Sequence, residues 1–260
     1  PVAPRTQKGI FGFGSAGGKL GVTNLMNSSG VIAADVSAVG TPRNALAATN
    51  YGGDKAIFAY GNDGSITNTS NLVNSSGVVA SDTSGVGTTR TDLAAAGYGG
   101  DKALFAYGAA PSSSVTNVSN LVSSSGVVSA DVTGVGTARR YLAAAGYGVG
   151  LAIFGYGRTA GGTTDHLSMT NLVNSSGVVG SDVSGVGTAR NALAAVSYGE
   201  DKALFGFGNG GPGSTAEVSM TNLVSNVGVV GTDVTGVGTG RKGLAAASYG
   251  GDKGAFSYGD

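Results

Sequence analysis

The feature that most constrains this chain is a short phrase that recurs five times along its 260 residues. The fourth occurrence reads GVGTAR at 185–190, and successive arginines of the phrase are 47, 49, 51 and 51 residues apart. An aspartate stands eight residues before each arginine. Self-similarity at a period near 50 residues is typical of repeat architectures, so we expect a series of equivalent units. The five pairs are Asp35 and Arg43, Asp82 and Arg90, Asp131 and Arg139, Asp182 and Arg190, and Asp233 and Arg241.

Each period contains four short segments with strand character, separated by turn residues. In one period, strand a is LAAAGYG at 142–148, strand b is LAIFGYG at 151–157, strand c is MTNLV at 169–173 and strand d is GVVGSD at 177–182. The a–b and c–d links are rich in Gly, Asn and Ser, which suits hairpin turns because Gly and Asn tolerate positive φ. The sequence therefore predicts one all-β domain of antiparallel strands over 1–260.

Strand b alternates along its length. Within 102–107, Ala103, Phe105 and Tyr107 are expected on one face, and Lys102, Leu104 and Ala106 on the other. Two apolar faces predict a sheet stacked between two similar sheets, with the aromatic face of one against the small face of the next. Strand a is almost all Ala and Gly, which suits convergence on a common axis. These patterns predict a five-bladed β-propeller with four antiparallel strands per blade, and a β-solenoid is the alternative.

A known repeat shares this order of residues. R-x-x-LAAA-x-YGG-DK-x-[LI]-F-x-YG, a variable loop and two more strands resembles the kelch repeat of β-propellers over nearly the whole chain. The chain departs from kelch in having a single glycine after the aromatic, as at Gly61 or Gly108, and no Trp. Blade number and length also resemble five-bladed lectin propellers of the tachylectin type. The TNLV…GVVGTD…GVGTAR style is similar to repeats of phage and environmental bacterial proteins, which implies an extracellular or virion context.

The strand count is uneven. There are six copies of strand b, the first at 8–14 and the last at 253–259, but five of a, c and d. Ring closure in the kelch manner implies that strand a at 244–250 joins strands c and d from the N-terminal region, so that the N- and C-terminal segments pair. One strand b is then surplus. Either it lies outside the ring and pairs with a neighbouring molecule, or the chain is a piece of a longer array.

The repeated polar residues have two interpretations. Asp-x-[ST]-x-V-G is typical of a turn in which a carboxylate caps backbone N–H groups, and an arginine can donate to carbonyls where one blade crosses to the next. We therefore assign the five Asp–Arg pairs to the blade crossings, the alternative being a ring of ligand-binding groups. Asn27, Asn74 and Asn174 match the glycosylation acceptor pattern, but their place in predicted c–d turns explains their recurrence.

Variation is concentrated between strands b and c. We expect these loops to lie on one rim together with the blade crossings, and variable loops on a fixed scaffold are where binding is often carried. The polar candidates for binding in this rim are Asn62, Asp63, Ser113, Arg158, Asp165, His166 and Glu217.

Composition argues against several classes of function. Lys plus Arg and Asp plus Glu both number 15, so no basic surface for nucleic acid is expected. Cysteine is absent and His166, beside Asp165, is the only histidine, which predicts no catalytic site, metal or cofactor. No apolar run approaches the roughly 18 residues that span a bilayer, so no membrane insertion is expected.

The remaining expectation is a non-enzymatic role. We expect a structural or attachment component of a larger assembly at an extracellular or virion surface, whose partners are other protein chains, further copies of itself included. The alternative is a glycan-binding module that uses the loop rim. A lectin site usually offers an aromatic platform, and the loops between strands b and c contain no aromatic residue.

Overall fold

A computed structural model of the chain describes residues 7–37, 39–162, 165–211 and 216–260. The fold is all-β, as predicted, and the described part has one short 3-10 turn at Pro111–Ser113. The strands are β1 Gly9–Ser15, β2 Lys19–Met26, β3 Ala47–Tyr51, β4 Lys55–Asn62, β5 Ile66–Val73, β6 Ala94–Tyr98, β7 Lys102–Ala106, β8 Ser119–Val122, β9 Ala143–Tyr147, β10 Leu151–Gly155, β11 Thr170–Val173, β12 Arg190–Asn191, β13 Ala194–Tyr198, β14 Lys202–Gly206, β15 Asn209–Gly210, β16 Thr221–Val224, β17 Ala245–Tyr249 and β18 Lys253–Ser257.

Six small antiparallel sheets follow one another along the described chain. Sheets 2 to 5 each contain strands a, b and c in that spatial order, and are formed by β3–β4–β5, β6–β7–β8, β9–β10–β11 and β13–β14–β16. Sheet 1 contains only a strand b and a strand c, β1 and β2. Sheet 6 contains only a strand a and a strand b, β17 and β18. The short strands β12 and β15 form a separate pair.

The predicted strand d is an extended segment with few ladder bonds. In sheet 4 it is joined to strand c by two isolated bridges, Val173 with Val179 and Thr170 with Val183, and sheets 1, 2, 3 and 5 repeat both. The c–d turn is closed by Asn174, whose side-chain oxygen accepts from the backbone N–H groups of Ser176 and Val178. The turns at Asn27 and Asn74 have the same bonds, so turn chemistry accounts for the Asn-Ser-Ser triplets.

Each sheet packs face to face on the next one in the chain. Between sheets 2 and 3, Ile57 and Tyr60 bury against Phe105, and equivalent clusters lie between sheets 3 and 4 and between sheets 4 and 5. Strands a of neighbouring sheets contact one another, which explains their Ala and Gly content, because larger side chains do not fit where backbones converge.

The contacts return from sheet 6 to sheet 1. The rings of Phe11 and Tyr258 are 5.5 Å apart, edge to face. The backbone N–H of Gly250 donates to the carbonyl of Gln7 at 3.0 Å, just as Gly199 donates to Asp252 between sheets 5 and 6. Ring pairs of this kind join each sheet to the next along the chain, and sheet 6 to sheet 1.

The alternation predicted for strand b was wrong at its last aromatic residue. Phe105 pairs with Tyr60 of sheet 2 at 5.3 Å, whereas Tyr107 pairs with Phe154 of sheet 4 at 5.6 Å. The reason is a left-handed backbone: Tyr107 has φ of 64°, which interrupts the two-residue period and turns its ring to the opposite face. Each interface therefore receives one ring from each sheet. The same conformation is found at Phe13, Tyr60, Tyr156, Phe207 and Tyr258.

Strand pairing at the chain ends also differs from the prediction. Among the described residues, β17 pairs with β18 and β1 with β2, and no strand a from the C-terminal region joins strands c and d from the N-terminal region. The sixth strand b is therefore part of a sheet rather than surplus. Each terminal strand b has a hairpin partner a few residues away, and such local pairing costs less loop-closure entropy than pairing across the whole chain.

Candidate functional site

Each repeated arginine joins two sheets through the last aromatic residue of their strands b. Arg139 has no solvent exposure, and its guanidinium carbon is 4.3 Å from the centroid of the Tyr107 ring in sheet 3. Its Nε donates to the carbonyl of Tyr156 in sheet 4 at 2.9 Å. In sheets 2 to 5, the carbonyl of the last aromatic residue of strand b therefore accepts a hydrogen bond from one repeated arginine. The arginine of the next repeat stacks over the ring of the same residue. A stacked guanidinium that also donates a hydrogen bond is well suited to a buried position.

The second half of each crossing is a chain of polar side chains. Arg139 Nη2 donates to Asn171 Oδ1 at 2.7 Å, and Asn171 Nδ2 donates to Asp182 Oδ1 at 2.9 Å. Asp182 also accepts from the hydroxyl of Thr137 at 2.6 Å and from its backbone N–H. The aspartate of one repeat therefore binds the threonine of the preceding crossing. That threonine lies two residues before the repeated arginine. The threonine–aspartate bond recurs in the crossings of Arg43, Arg90 and Arg190, and the arginine–asparagine bond in those of Arg90 and Arg190. Arg43 Nη2 instead donates to the carbonyl of Phe58 at 3.4 Å.

These contacts shift the acidity of the carboxylates. Partial burial by itself would raise the pKa of Asp182, but hydrogen bonds from Thr137 and Asn171 and the charge of Arg139 outweigh it, so the pKa lies below its ordinary value. Asp82, Asp131 and Asp233 have lowered pKa values for the same reasons. Desolvation lowers the pKa of Arg139, and neighbouring Tyr107 and Asp182 oppose that shift. These four carboxylates and Arg139 are thus engaged in contacts within the chain.

The predicted rim residues are mostly engaged in local bonds of their own loops. Asn62 Oδ1 accepts from the backbone N–H of Gly64 at 3.0 Å, and also from Lys19 Nζ of sheet 1 at 2.8 Å. Asp63 accepts from the backbone of its own turn. Asp165 accepts from the hydroxyl of Thr159 at 2.9 Å. Ser113 ends the 3-10 turn with φ of 59°. Asn62 and Asp63 lie together at the end of β4 in sheet 2, whereas Ser113 lies after β7 of sheet 3, and no hydrogen bond joins Ser113 to either of them in the described part of the chain.

Two other rim residues are tied to the next repeat. Glu217 forms an ion pair with Lys242 at 2.9 Å. His166 Nδ1 is 3.2 Å from the carbonyl of Gly211, and His166 lies beside an open depression of roughly 380 Å³ lined also by Met169, Asp182 and Gly185. The depression is open to solvent, and the hydroxyl-bearing residues Ser168 and Ser184 also line it.

Arg158 is the predicted residue that the structure brings into a cluster. It forms a backbone bridge with Arg140, and the guanidinium carbons of Arg158 and Arg140 are 5.0 and 5.3 Å from the ring centroid of Tyr141. Nε of both arginines is buried without a hydrogen-bond partner among the described residues. The backbone N–H of Tyr141 donates to the carbonyl of Asp92, which completes the group.

Sequence reasoning missed Asp92, Arg140 and Tyr141. Desolvation raises the pKa of Asp92, although Tyr141, Arg140 and Arg158 oppose the shift; desolvation also raises the pKa of Tyr141, with Asp92 adding to it. The sequence did contain a sign of this cluster. The residue two places after the repeated arginine is small in three repeats, but it is an aspartate in the second repeat and a tyrosine in the third. The five are Ala45, Asp92, Tyr141, Ala192 and Gly243.

The described residues contain no group of three or more His, Asp or Glu side chains that could hold a metal ion. Within the same ranges, no helix has the length and apolar character needed to cross a membrane. Comparison with protein-family models and with curated proteins gives no match to this chain.

Proposed function

We propose that this protein is a non-enzymatic structural or attachment component of a larger assembly, at an extracellular or virion surface, and that its six sheets form a kelch-like propeller. Support for the propeller comes from the cycle of equivalent interfaces, including the Phe11–Tyr258 and Gly250–Gln7 contacts. The number of units in this proposal is six, where the sequence alone predicts five.

The assembly role depends on one observation, an exposed set of equivalent valines. The first valine of each segment d is between 60 and 66% exposed, and we call these five residues the outer valines: Val31, Val78, Val127, Val178 and Val229. A single exposed valine is ordinary, but the same apolar residue exposed in all five repeats favours a contact surface. Segment d is also the outermost strand, with only two bridges to its sheet, so much of its backbone edge is open for pairing.

The test is self-association of the protein and of a variant in which all five outer valines are replaced by Thr. Threonine keeps the β-branched shape and removes one methyl group, so folding is expected to be unchanged. Analytical ultracentrifugation should show concentration-dependent oligomers of the wild type and a shift to monomer in the variant. Val149→Thr is the control, because Val149 is 93% exposed but lies in an a–b turn and is not one of the outer valines. A wild type that stays monomeric at all concentrations contradicts the proposal.

A glycan-binding role is the second candidate, and the Asp92–Arg140–Tyr141–Arg158 cluster favours it. Sugars are bound by aromatic rings together with charged hydrogen-bonding groups, and this cluster supplies both from residues that the other repeats lack. A glycan array probed with the wild type and with Tyr141→Ala tests it: binding that the variant loses supports a lectin, and an array without any hit contradicts it.

A further inference from the structure

Three basic side chains lie side by side across the end of sheet 4 that faces the blade crossings. Arg158 forms a backbone bridge with Arg140 on one side and with His166 on the other, so the three residues are direct cross-strand neighbours. The side chains of such neighbours lie on the same face of a sheet, with Cβ atoms about 5 Å apart. We call Arg140, Arg158 and His166 the basic row.

The neighbouring sheets have no basic residue at the same three positions. The equivalent rows are Asn44–Asn62–Ile66 in sheet 2, Thr91–Ala109–Val115 in sheet 3 and Asn191–Asn209–Glu217 in sheet 5. The repeat therefore folds without basic side chains here. Like charges placed directly opposite each other destabilise a sheet, so the pairing of Arg140 with Arg158 has a cost that folding does not explain.

The carboxylates near the basic row do not balance its charge. Asp92 of sheet 3 interacts electrostatically with both arginines, but it is one carboxylate for two guanidinium groups. Asp165 precedes His166, so strand alternation directs it to the other face, where it accepts from Thr159 at 2.9 Å. One guanidinium charge among these groups is therefore left without a counter-charge.

The two arginines are held in place while some of their donors stay unused. Both guanidinium groups lie over the ring of Tyr141, and Nε of each has no hydrogen-bond partner among the described residues. Both arginines are partly exposed, so a ligand can reach them from solvent. A guanidinium fork matches the oxygen atoms of an oxyanion. Because two guanidinium groups already lie over the Tyr141 ring, the site offers recognition by charge rather than by stacking.

Room for the rest of a ligand adjoins the basic row. His166 also lines the open depression of roughly 380 Å³, together with Ser168 and Ser184. The imidazole and the two hydroxyl groups can exchange hydrogen bonds with the hydroxyl groups of a sugar. An anion site and a polar depression are thus next to each other on sheet 4.

We propose that the basic row binds one acidic group of a glycan, a carboxylate or a sulfate ester, and that the neutral part of the sugar lies in the depression beside His166. The inference rests on the glycan-binding candidate described above and gives it a specificity for acidic sugars. It uses a surface different from the outer valines.

Titration with sodium sulfate, at constant ionic strength set with NaCl, tests the anion site without any sugar. Nuclear magnetic resonance of protein labelled with nitrogen-15 arginine detects the Nε–H groups of Arg140 and Arg158, which the variants Arg140→Gln and Arg158→Gln assign. We expect saturable shifts of both signals in the wild type. Either variant should bind sulfate at least about tenfold more weakly, because it lacks one charge-assisted hydrogen-bond donor.

Two further variants make the titration specific. Asp92→Asn removes the competing carboxylate and should bind sulfate more tightly, a gain that a purely structural role of the basic row does not predict. Lys102→Gln removes one positive charge at the exposed opposite end of strand b in sheet 3 and should bind sulfate as the wild type does. Absence of saturable shifts, or equal sulfate affinity of the wild type and both arginine variants, overturns the proposal.

A glycan array that carries each sugar in neutral, carboxylated and sulfated form tests the ligand. We expect the wild type to bind only acidic members, and the set that binds identifies the acidic group as carboxylate or sulfate. Asp92→Asn should give stronger signals on the same members. Binding confined to neutral sugars overturns this inference alone, whereas an array without any hit overturns the glycan-binding role on which it rests.

Discussion

The repeated arginine is the residue that connects one sheet to the next. Arg139 is buried and satisfies the ring of Tyr107, the carbonyl of Tyr156 and the amide oxygen of Asn171. Burial of a guanidinium is costly unless each of its faces and donors has a partner. Neutral carbonyl and amide oxygens bond directly to the guanidinium of Arg139. The carboxylate of Asp182 lies farther away, with 4.0 Å between Arg139 Nη1 and Asp182 Oδ1.

Replacing this arginine should therefore destabilise the fold. Arg139→Ala leaves a cavity and two buried acceptors without donors, and we expect a loss of roughly 3 kcal/mol in the free energy of unfolding. Arg241 occupies the same position in the last crossing but is partly exposed, with one weak bond of 3.4 Å to Tyr258. Arg241→Ala should cost less than about 1 kcal/mol. Urea unfolding measures both, and equal losses would argue against the role of burial.

Acid should weaken the crossings. The pKa of Asp182 is lowered in the folded protein, so its contribution is present above the unfolded value of about 3.9 and is lost as pH falls through the folded value. Urea midpoints measured from pH 7 downward should fall for the wild type. Asp182→Asn should be less stable at pH 7 and lose less on acidification, so that the two curves converge in acid. Asp54→Asn, in an exposed turn, should follow the wild type, and parallel curves for wild type and Asp182→Asn would contradict the prediction.

At the scale of the element, the distinctive feature of strand b is that its two-residue side-chain alternation is interrupted near its end. The last aromatic residue has a left-handed backbone and is followed by a glycine that is also left-handed, as at Tyr107 and Gly108. A non-glycine residue in this conformation costs on the order of 1 kcal/mol, and it recurs in all six strands b. The gain is that Phe105 and Tyr107 reach opposite interfaces from one short strand.

The glycine after the aromatic should tolerate no side chain. A Cβ at Gly108 would lie 2.6 Å from the carbonyl oxygen of Thr91, and its φ is 104°. Gly100 in the a–b turn has φ of 86° but open space around it, so Gly100→Ala isolates the conformational cost of about 1 kcal/mol. Gly108→Ala should cost at least about twice as much, because strain and overlap add. Thermal unfolding compares them, and a smaller loss at Gly108 would refute the close-approach argument.

At the scale of the whole molecule, the interfaces are equivalent but the sheets are not equally complete. Sheet 4 has strands on both sides of β10, and its central residues Ile153 and Phe154 are fully buried. Sheet 6 has two strands, and every residue of β17 and β18 is at least partly exposed. Stability is therefore expected to vary around the cycle.

Hydrogen exchange should detect this difference. Amides of β17 and β18 have fewer covering contacts and should exchange faster than the amides of β9 and β10, which open only with the central sheets. Mass spectrometry of peptides from both pairs measures it under one set of conditions. Equal protection of the two pairs would mean that sheet 6 is covered by something other than the contacts described above.

The sequence alone determined the repeat, the strand order a–b–c and the turns, because these depend on local chemistry: hairpin residues, alternation, and the Asn side chains that close c–d turns. Only the tertiary structure decided which face each aromatic meets, how many sheets form and where Arg158 finds Asp92, Arg140 and Tyr141. Those outcomes depend on one left-handed residue per strand b and on contacts between residues about 50 positions apart, and neither can be read from a local pattern.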